Sequence, residues 1–194
     1  DGSRWSTPVE VVYDGDRIDG FTAVRNGESL HLFWASDGVH HASASVADAS
    51  SAMAWMASVE VVAPRAIPEG LAAAADRAGN LYLAYSAEGT LHVQRSTDDG
   101  ASWSAPTMVV RAANLSPDAV TLAYPDLATS DQGSLHAAWS TAAGSDQDYA
   151  TLGVFYCRLL EWGGLWSAPV QLASDGHSQP NVVVHQSQVH VVWN

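Results

Sequence analysis

Ser96-Thr97-Asp98-Asp99-Gly100-Ala101-Ser102-Trp103 reads as a tight turn between two strands, and the rest of the chain repeats on its frame. Ser and Asp side chains accept hydrogen bonds from turn backbone N–H groups, and Gly100 is free to take positive φ. Upstream, Thr90-Leu91-His92-Val93-Gln94-Arg95 alternates apolar and polar residues, as a half-buried strand does. Downstream, Trp103 to Val110 reads as a second strand anchored by Trp103, with Pro106 marking it as an outer one.

Two motifs recur in phase. Trp-Ser-x-Pro starts at Trp5, Trp103 and Trp166, with a worn copy at Trp55. A strand ending in an aromatic residue recurs as Leu30–Trp34, Leu81–Tyr85, Leu135–Trp139 and Val189–Trp193. Both keep a period of about 50 residues, long enough for a repeated supersecondary unit. Each period holds four short strands: 18–25, 29–36, 38–45 and 55–62; then 69–76, 80–87, 89–96 and 103–110; then 123–130, 134–141, 150–159 and 166–172. Ala72-Ala73-Ala74-Ala75 falls in the register of an innermost strand, where neighbours crowd and small side chains are expected. Four-stranded sheets at this spacing are the blades of a β-propeller.

The pattern S-x-D-x-G-x-x-W at Ser96, Asp98, Gly100 and Trp103 resembles the Asp box of the sialidase-like (BNR-repeat) β-propellers. The resemblance runs along the whole chain and is strict in one blade. The third blade keeps Gly163, Gly164 and Trp166 but lacks the Ser and Asp, and the first lacks the Gly before Trp55. The expected fold is therefore all-β: one propeller segment over 1–194, with complete blades near 18–62, 69–110 and 123–172 and partial-blade strands at 5–12 and 179–194. Members of the family have more blades, so a ring of six or more is expected, closed by further blades of the same or another chain. An open array would expose pairing-competent strand edges.

Composition narrows the partners. The formal charge is −13, and the eight basic residues are all Arg. Such a surface repels phosphate backbones and anionic lipid, so neither nucleic acid nor membrane is expected as a partner. No apolar run approaches the length of a membrane span. Cys157 is the single cysteine, which excludes an internal disulfide, and its strand-like surroundings mark it as a core residue. The first residue is Asp1 and no signal peptide is visible, as expected of a chain that lost a leader or of a segment of a longer one.

In the resembled family, ligands bind on the face opposite the Asp-box turns, near the axis. On that face the longest excursions are Arg111 to Leu122 and Thr141 to Thr151. Their polar residues Asp118, Asp146, Asp148 and Tyr149 are the candidate ligand contacts, since long loops on a regular scaffold carry function. A sialidase needs three arginines to clamp a carboxylate, a Tyr–Glu pair and an acid/base Asp. The weak catalytic candidates are Arg65, Glu69, Arg111 and Asp126, whereas Arg17-Ile18-Asp19 only partly resembles the family's Arg-Ile-Pro signature. Arg95 stands where such propellers carry a structural Arg.

His31, His136 and His190 are repeat equivalents, so they do not converge on a metal and are assigned to hydrogen bonding between strands. His40 and His41 face opposite sides of one strand. The Asp14–Asp16 turn lacks the spacing of a calcium loop, and no metal or cofactor is expected. Seven of the eight Trp residues sit at repeat-equivalent positions; Trp162 is left without a structural assignment. The function expected is a non-catalytic extracellular or cell-surface recognition module that binds a glycan or protein. The alternative is part of a sialidase-like glycoside hydrolase, which would require Arg65 and Arg111 to converge near the axis.

Overall fold

Turns such as Asn26-Gly27-Glu28, with Gly27 at φ 57°, bring consecutive strands back on themselves and commit the chain to antiparallel meanders. The computed structural model describes residues 7–12, 18–62, 70–144, 150–174 and 178–194. The first sheet is β1(Gly20–Asn26), β2(Ser29–Ala35), β3(Val39–Ser45) and β4(Ser58–Val62), paired in that order. The second is β5(Gly70–Ala75), β6(Leu81–Ala87), β7(Thr90–Ser96) and β8(Thr107–Arg111). The third is β9(Thr121–Thr129), β10(Leu135–Ala143), β11(Ala150–Leu159) and β12(Val170–Ser174). A two-stranded hairpin, β13(Asn181–His185) and β14(Gln188–Val192), follows. The fold is all-β and built of four-stranded antiparallel blades, as the repeat predicts.

The Trp-Ser-x-Pro segments are not strands from their first residue. β8 begins at Thr107 and β12 at Val170, directly after Pro106 and Pro169, while Trp55 closes a 3-10 turn over Ala52–Trp55. A proline has no N–H to donate, so the continuous ladder resumes beyond it, although Trp166 already pairs with Leu159. The serine does a different job. Ser104 N–H donates to the Arg95 carbonyl while Ser104 Oγ accepts the Arg95 N–H, at 2.8 and 3.0 Å. Ser167 holds Arg158 the same way, at 2.8 and 3.1 Å. The motif is thus a two-bond clamp that ties each outer segment to the strand before it.

The blades stack through apolar side chains. Leu91, Val93, Leu122, Leu127, Trp139 and Cys157 belong to the cluster between the second and third blades, and Phe33, Leu83 and Tyr85 to that between the first and second. Ala72 and Ala74 of β5 are buried in the former cluster, as the alanine run predicts. Val11 and Val12 pack on the far face of the first blade beside Trp34 and Trp55. Cys157 is fully buried and unpaired, and burial pushes its thiol up to about 12.

Candidate functional site

The innermost strand of each blade, β1, β5, β9 and β13, runs from the loop face towards the face that carries the Ser96–Trp103 turn. Asn26, at the far end of β1, donates its Nδ2 to Asp99 of that turn at 2.9 Å. The opposite ends of the four strands line one cavity of about 400 Å³. Asp19 and Phe21 come from the head of β1, Gly70 and Leu71 from β5, Tyr124 and Asp126 from β9, and Asn181 from β13.

β9 is irregular where it meets this cavity. Ala138 pairs with Asp126 but Ser140 pairs with Ala123, so Tyr124 and Pro125 together face Trp139. This two-for-one mismatch is a β-bulge, a device that re-aims side chains. Tyr124 takes φ 52°, a left-handed conformation that is costly for a bulky residue. β5 accommodates the bulge with a glycine: a Cβ on Gly70 would lie 2.6 Å from Pro125 Cδ. The result is a Tyr124 side chain left half exposed at the cavity, with Phe21 exposed to 74% across from it on β1.

Asp126 is the half-buried carboxyl of the site. Its Oδ2 accepts the Val182 N–H at 2.7 Å, joining β9 to β13. Burial raises its pKa, and the backbone N–H groups of Val182 and Leu127 offset only part of that rise. The cavity therefore combines two aromatic faces, two carboxylates (Asp19 and Asp126) and the Asn181 amide. The lining residues described include no cation.

The other sequence candidates fall elsewhere. Arg111 ends β8 on the outer rim and lines a separate cavity of about 370 Å³ with Glu88, Thr90 and Val120. Asp118 sits in the connection that follows, its N–H donating to Ser116 Oγ at 3.3 Å. Arg111 and Asp126 are not brought together. Arg65, Glu69, Asp146, Asp148 and Tyr149 lie outside the described residues, as does the Asp14–Asp16 turn. The sequence reading missed Phe21, Asp19 and Tyr124. One signal was available: Pro125 inside an otherwise strand-like run marks a bulge.

The opposite face is structural. Ser96 Oγ–H donates to Asp98 Oδ1 at 2.8 Å and accepts the Gly100 N–H at 2.9 Å. Asp98 also accepts the Ser102 N–H and Oγ–H, at 2.9 and 2.5 Å. These bonds, those from Ser102 first, hold its carboxyl below the usual range. Trp103 packs edge-on against Phe33 of the first blade, ring centres 5.6 Å apart. Trp162 also finds a structural place here. The Arg95 guanidinium lies 5.9 Å from the centres of both the Tyr82 and Trp162 rings, which pack on each other at 5.8 Å. His31 and His136 bond between strands as expected, to His41 at 2.9 Å and to the Tyr156 hydroxyl at 2.7 Å.

Comparison with known proteins places the fold in a class. No protein-family model matches the chain, and no curated protein sequence matches it. Among solved structures, it is similar to a Hadza microbial sialidase, with a TM-score of 0.57 and 14% identity over 84% of this chain and 39% of that one. A sialidase of Trypanosoma rangeli gives 0.58 and 14%, over 91% and 34% of the two chains. An ulvan lyase of polysaccharide lyase family PL25 gives 0.60 and 11%, over 91% and 50%. The chain has the β-propeller fold of the sialidase-like type. It spans half or less of the length of each of these three structures.

Proposed function

We propose that this chain is a carbohydrate-recognition segment of an Asp-box, sialidase-like β-propeller, and that it engages a glycan at the axial cavity of its loop face. The observation that carries the reading is the β9 bulge, which turns Tyr124 out beside Asp126 and opposite Phe21. Aromatic faces stack on the apolar faces of sugar rings, and carboxylates and amides accept and donate hydrogen bonds to hydroxyls. Backbone strain of the kind at Tyr124 is retained where the site needs it. The neighbours by fold are named as a sialidase and a polysaccharide lyase, which agrees with a carbohydrate ligand. Acidity and the family resemblance favour an exported, extracellular or cell-surface location, free of nucleic acid.

A second reading, part of a glycoside hydrolase, is favoured by one observation: a buried carboxyl of raised pKa is suited to donate a proton. Saturation-transfer NMR with a pool of oligosaccharides, run beside an assay for released reducing ends, separates the two. Saturation transfer without release supports recognition. Release that is lost in Asp126→Asn establishes the hydrolase. No transfer to any sugar overturns both.

A further inference from the structure

The bonds of the turn face brace the blades, yet they leave one positive charge without an anion. Arg95, near the end of β7, gives its backbone N–H to Ser104 Oγ, and its guanidinium lies against the Tyr82 and Trp162 rings. A ring contact consumes no N–H donor, and among the described residues nothing accepts from this guanidinium; its Nε is buried without a partner. Acids are not lacking, for the chain holds 21 of them against eight basic residues. Arg25 pairs with Glu28 at 3.2 Å and Arg77 with Asp131 at 2.8 Å. The carboxylates near Arg95 are committed elsewhere. Asp76 accepts the Tyr82 hydroxyl at 3.0 Å and Asn80 Nδ2 at 2.7 Å, and Asp98 is taken up by Ser96 and Ser102.

Arg95 lines a cavity of about 260 Å³ at the junction of the second and third blades, with Thr97, Ser102, Trp103, Ser104 and Trp162. These walls lie within unbroken described runs, 70–144 and 150–174, whose ends fall on the loop face, away from Arg95. We propose that this cavity binds a sugar acid, a single hexuronate residue, by its carboxylate. The site is distinct from the axial cavity and does not rest on the reading above. A carboxylate matches the guanidinium fork with two parallel charge-assisted bonds, each roughly twice as strong as a neutral one. The half-buried Trp162 indole offers an apolar wall to the C–H face of the ring, and the exposed Thr97 hydroxyl can bond a ring hydroxyl. The size suits one ring, since pockets for drug-sized ligands run from about 300 to 1,000 Å³. The −13 charge of the chain slows an anion's approach. At physiological salt, however, charges are screened beyond about 8 Å, so the guanidinium in contact with the ligand decides.

The test is an NMR titration of the whole chain with sodium glucuronate, read at the Trp162 indole N–H, whose resonance is assigned by its loss in Trp162→Phe. The neutral methyl ester of glucuronate, sodium acetate and sodium phosphate are titrated beside it. A saturable shift with glucuronate is expected, at least tenfold tighter than with the ester or with either simple anion. Arg95→Lys keeps the charge but not the fork and should weaken binding tenfold or more. Thr97→Val, at an exposed position, should weaken it threefold or more, and thermal melts check that both variants fold. If Arg95→Lys does not fold, Thr97→Val carries the test, and unchanged binding in it overturns the site. Equal affinity for acetate or phosphate overturns the sugar acid and leaves an adventitious anion only. Equal affinity for the ester overturns the part given to Arg95. Glucuronate that moves Phe21 and Tyr124 but not Trp162 belongs in the axial cavity, which overturns this site and leaves the earlier reading standing. No shift from any of the four overturns it outright.

Discussion

Asp99, in the turn after β7, reaches across a blade boundary to His31 of β2, its Oδ1 lying 3.1 Å from His31 Nε2. The same carboxylate accepts Asn26 Nδ2 at 2.9 Å and Ser29 Oγ–H at 3.0 Å. Behind it, His31 Nδ1 lies 2.9 Å from His41 Nε2, so the bond to Asp99 fixes one tautomer: His31 donates to Asp99 and accepts from His41. The turn thus fastens two blades through a line of three titratable side chains. Removing the carboxylate with Asp99→Ala strips three donors of their acceptor. A loss of about 1–3 kcal/mol is expected, measured by urea denaturation.

The two histidines make that fastening sensitive to acid. Burial lowers the pKa of both; His41 falls to about 4, helped by the charge His31 would carry and opposed by Asp99. A histidine depressed in the fold takes its proton first in the unfolded chain. Stability is therefore full above pH 6.5 and lost as pH falls from there towards 4. The expected loss from His41 is about 3 kcal/mol, or roughly 6–12 °C in Tm for a chain of this size. Thermal melts across that window check it, and His41→Phe, which keeps a ring on Phe33, should flatten the slope.

Gly100 is required twice over. Its φ is +87°, and a Cβ there would overlap His41 Cε1, in a ring that stacks on Phe33 and meets Trp103 edge-on. Gly100→Ala should cost about 1–3 kcal/mol by calorimetric melting. A melt unchanged from the parent would show that the first and second blades are not held by this contact.

Arg95, Tyr82 and Trp162, in mutual contact, tie the second blade to the third. Trp162→Ala should destabilise by about 1–2 kcal/mol, and Trp162→Phe should recover part of it, since a smaller ring still presents a face to the guanidinium. Equal losses in both variants would mean that a smaller ring at this position does not restore the contact with the guanidinium.

Asp126 separates stability from binding. A carboxyl whose pKa is raised by burial opposes folding once it ionises, so the penalty sets in as pH rises past the unfolded value and is complete above the folded one. Asp126→Asn removes the charge yet keeps an oxygen to accept the Val182 N–H. Its Tm at pH 7 should equal or exceed the parent's, the two converging in strong acid, while saccharide binding falls. A variant that simply melts early would make Asp126 a structural residue.

How much of this was legible in the sequence depended on how local the cause was. The Ser96–Trp103 turn was readable because its bonds run among its own residues. The alanine run of β5 was readable because crowding at the axis acts on every repeat alike. The continuous strands begin after Pro106 and Pro169, later than the tryptophans suggest, because each proline interrupts the pairing that Ser104 and Ser167 have already begun. The bulge at Tyr124 was not foreseen, because it is settled by Gly70, far away in sequence, leaving room for Pro125. The sequence marks Asp126 only as a weak catalytic candidate; in the fold its carboxylate accepts the Val182 N–H and lines the same cavity as Phe21 and Tyr124.

Cys157 gives the molecule a built-in clock. It is the only thiol in the chain, sealed inside the third blade and held protonated by its surroundings. A thiol reagent in the solvent has nothing to attack until that blade comes apart. The rate at which one equivalent of reagent is consumed then counts opening events directly. Every substitution above can be timed on the same scale, with no label added to the protein.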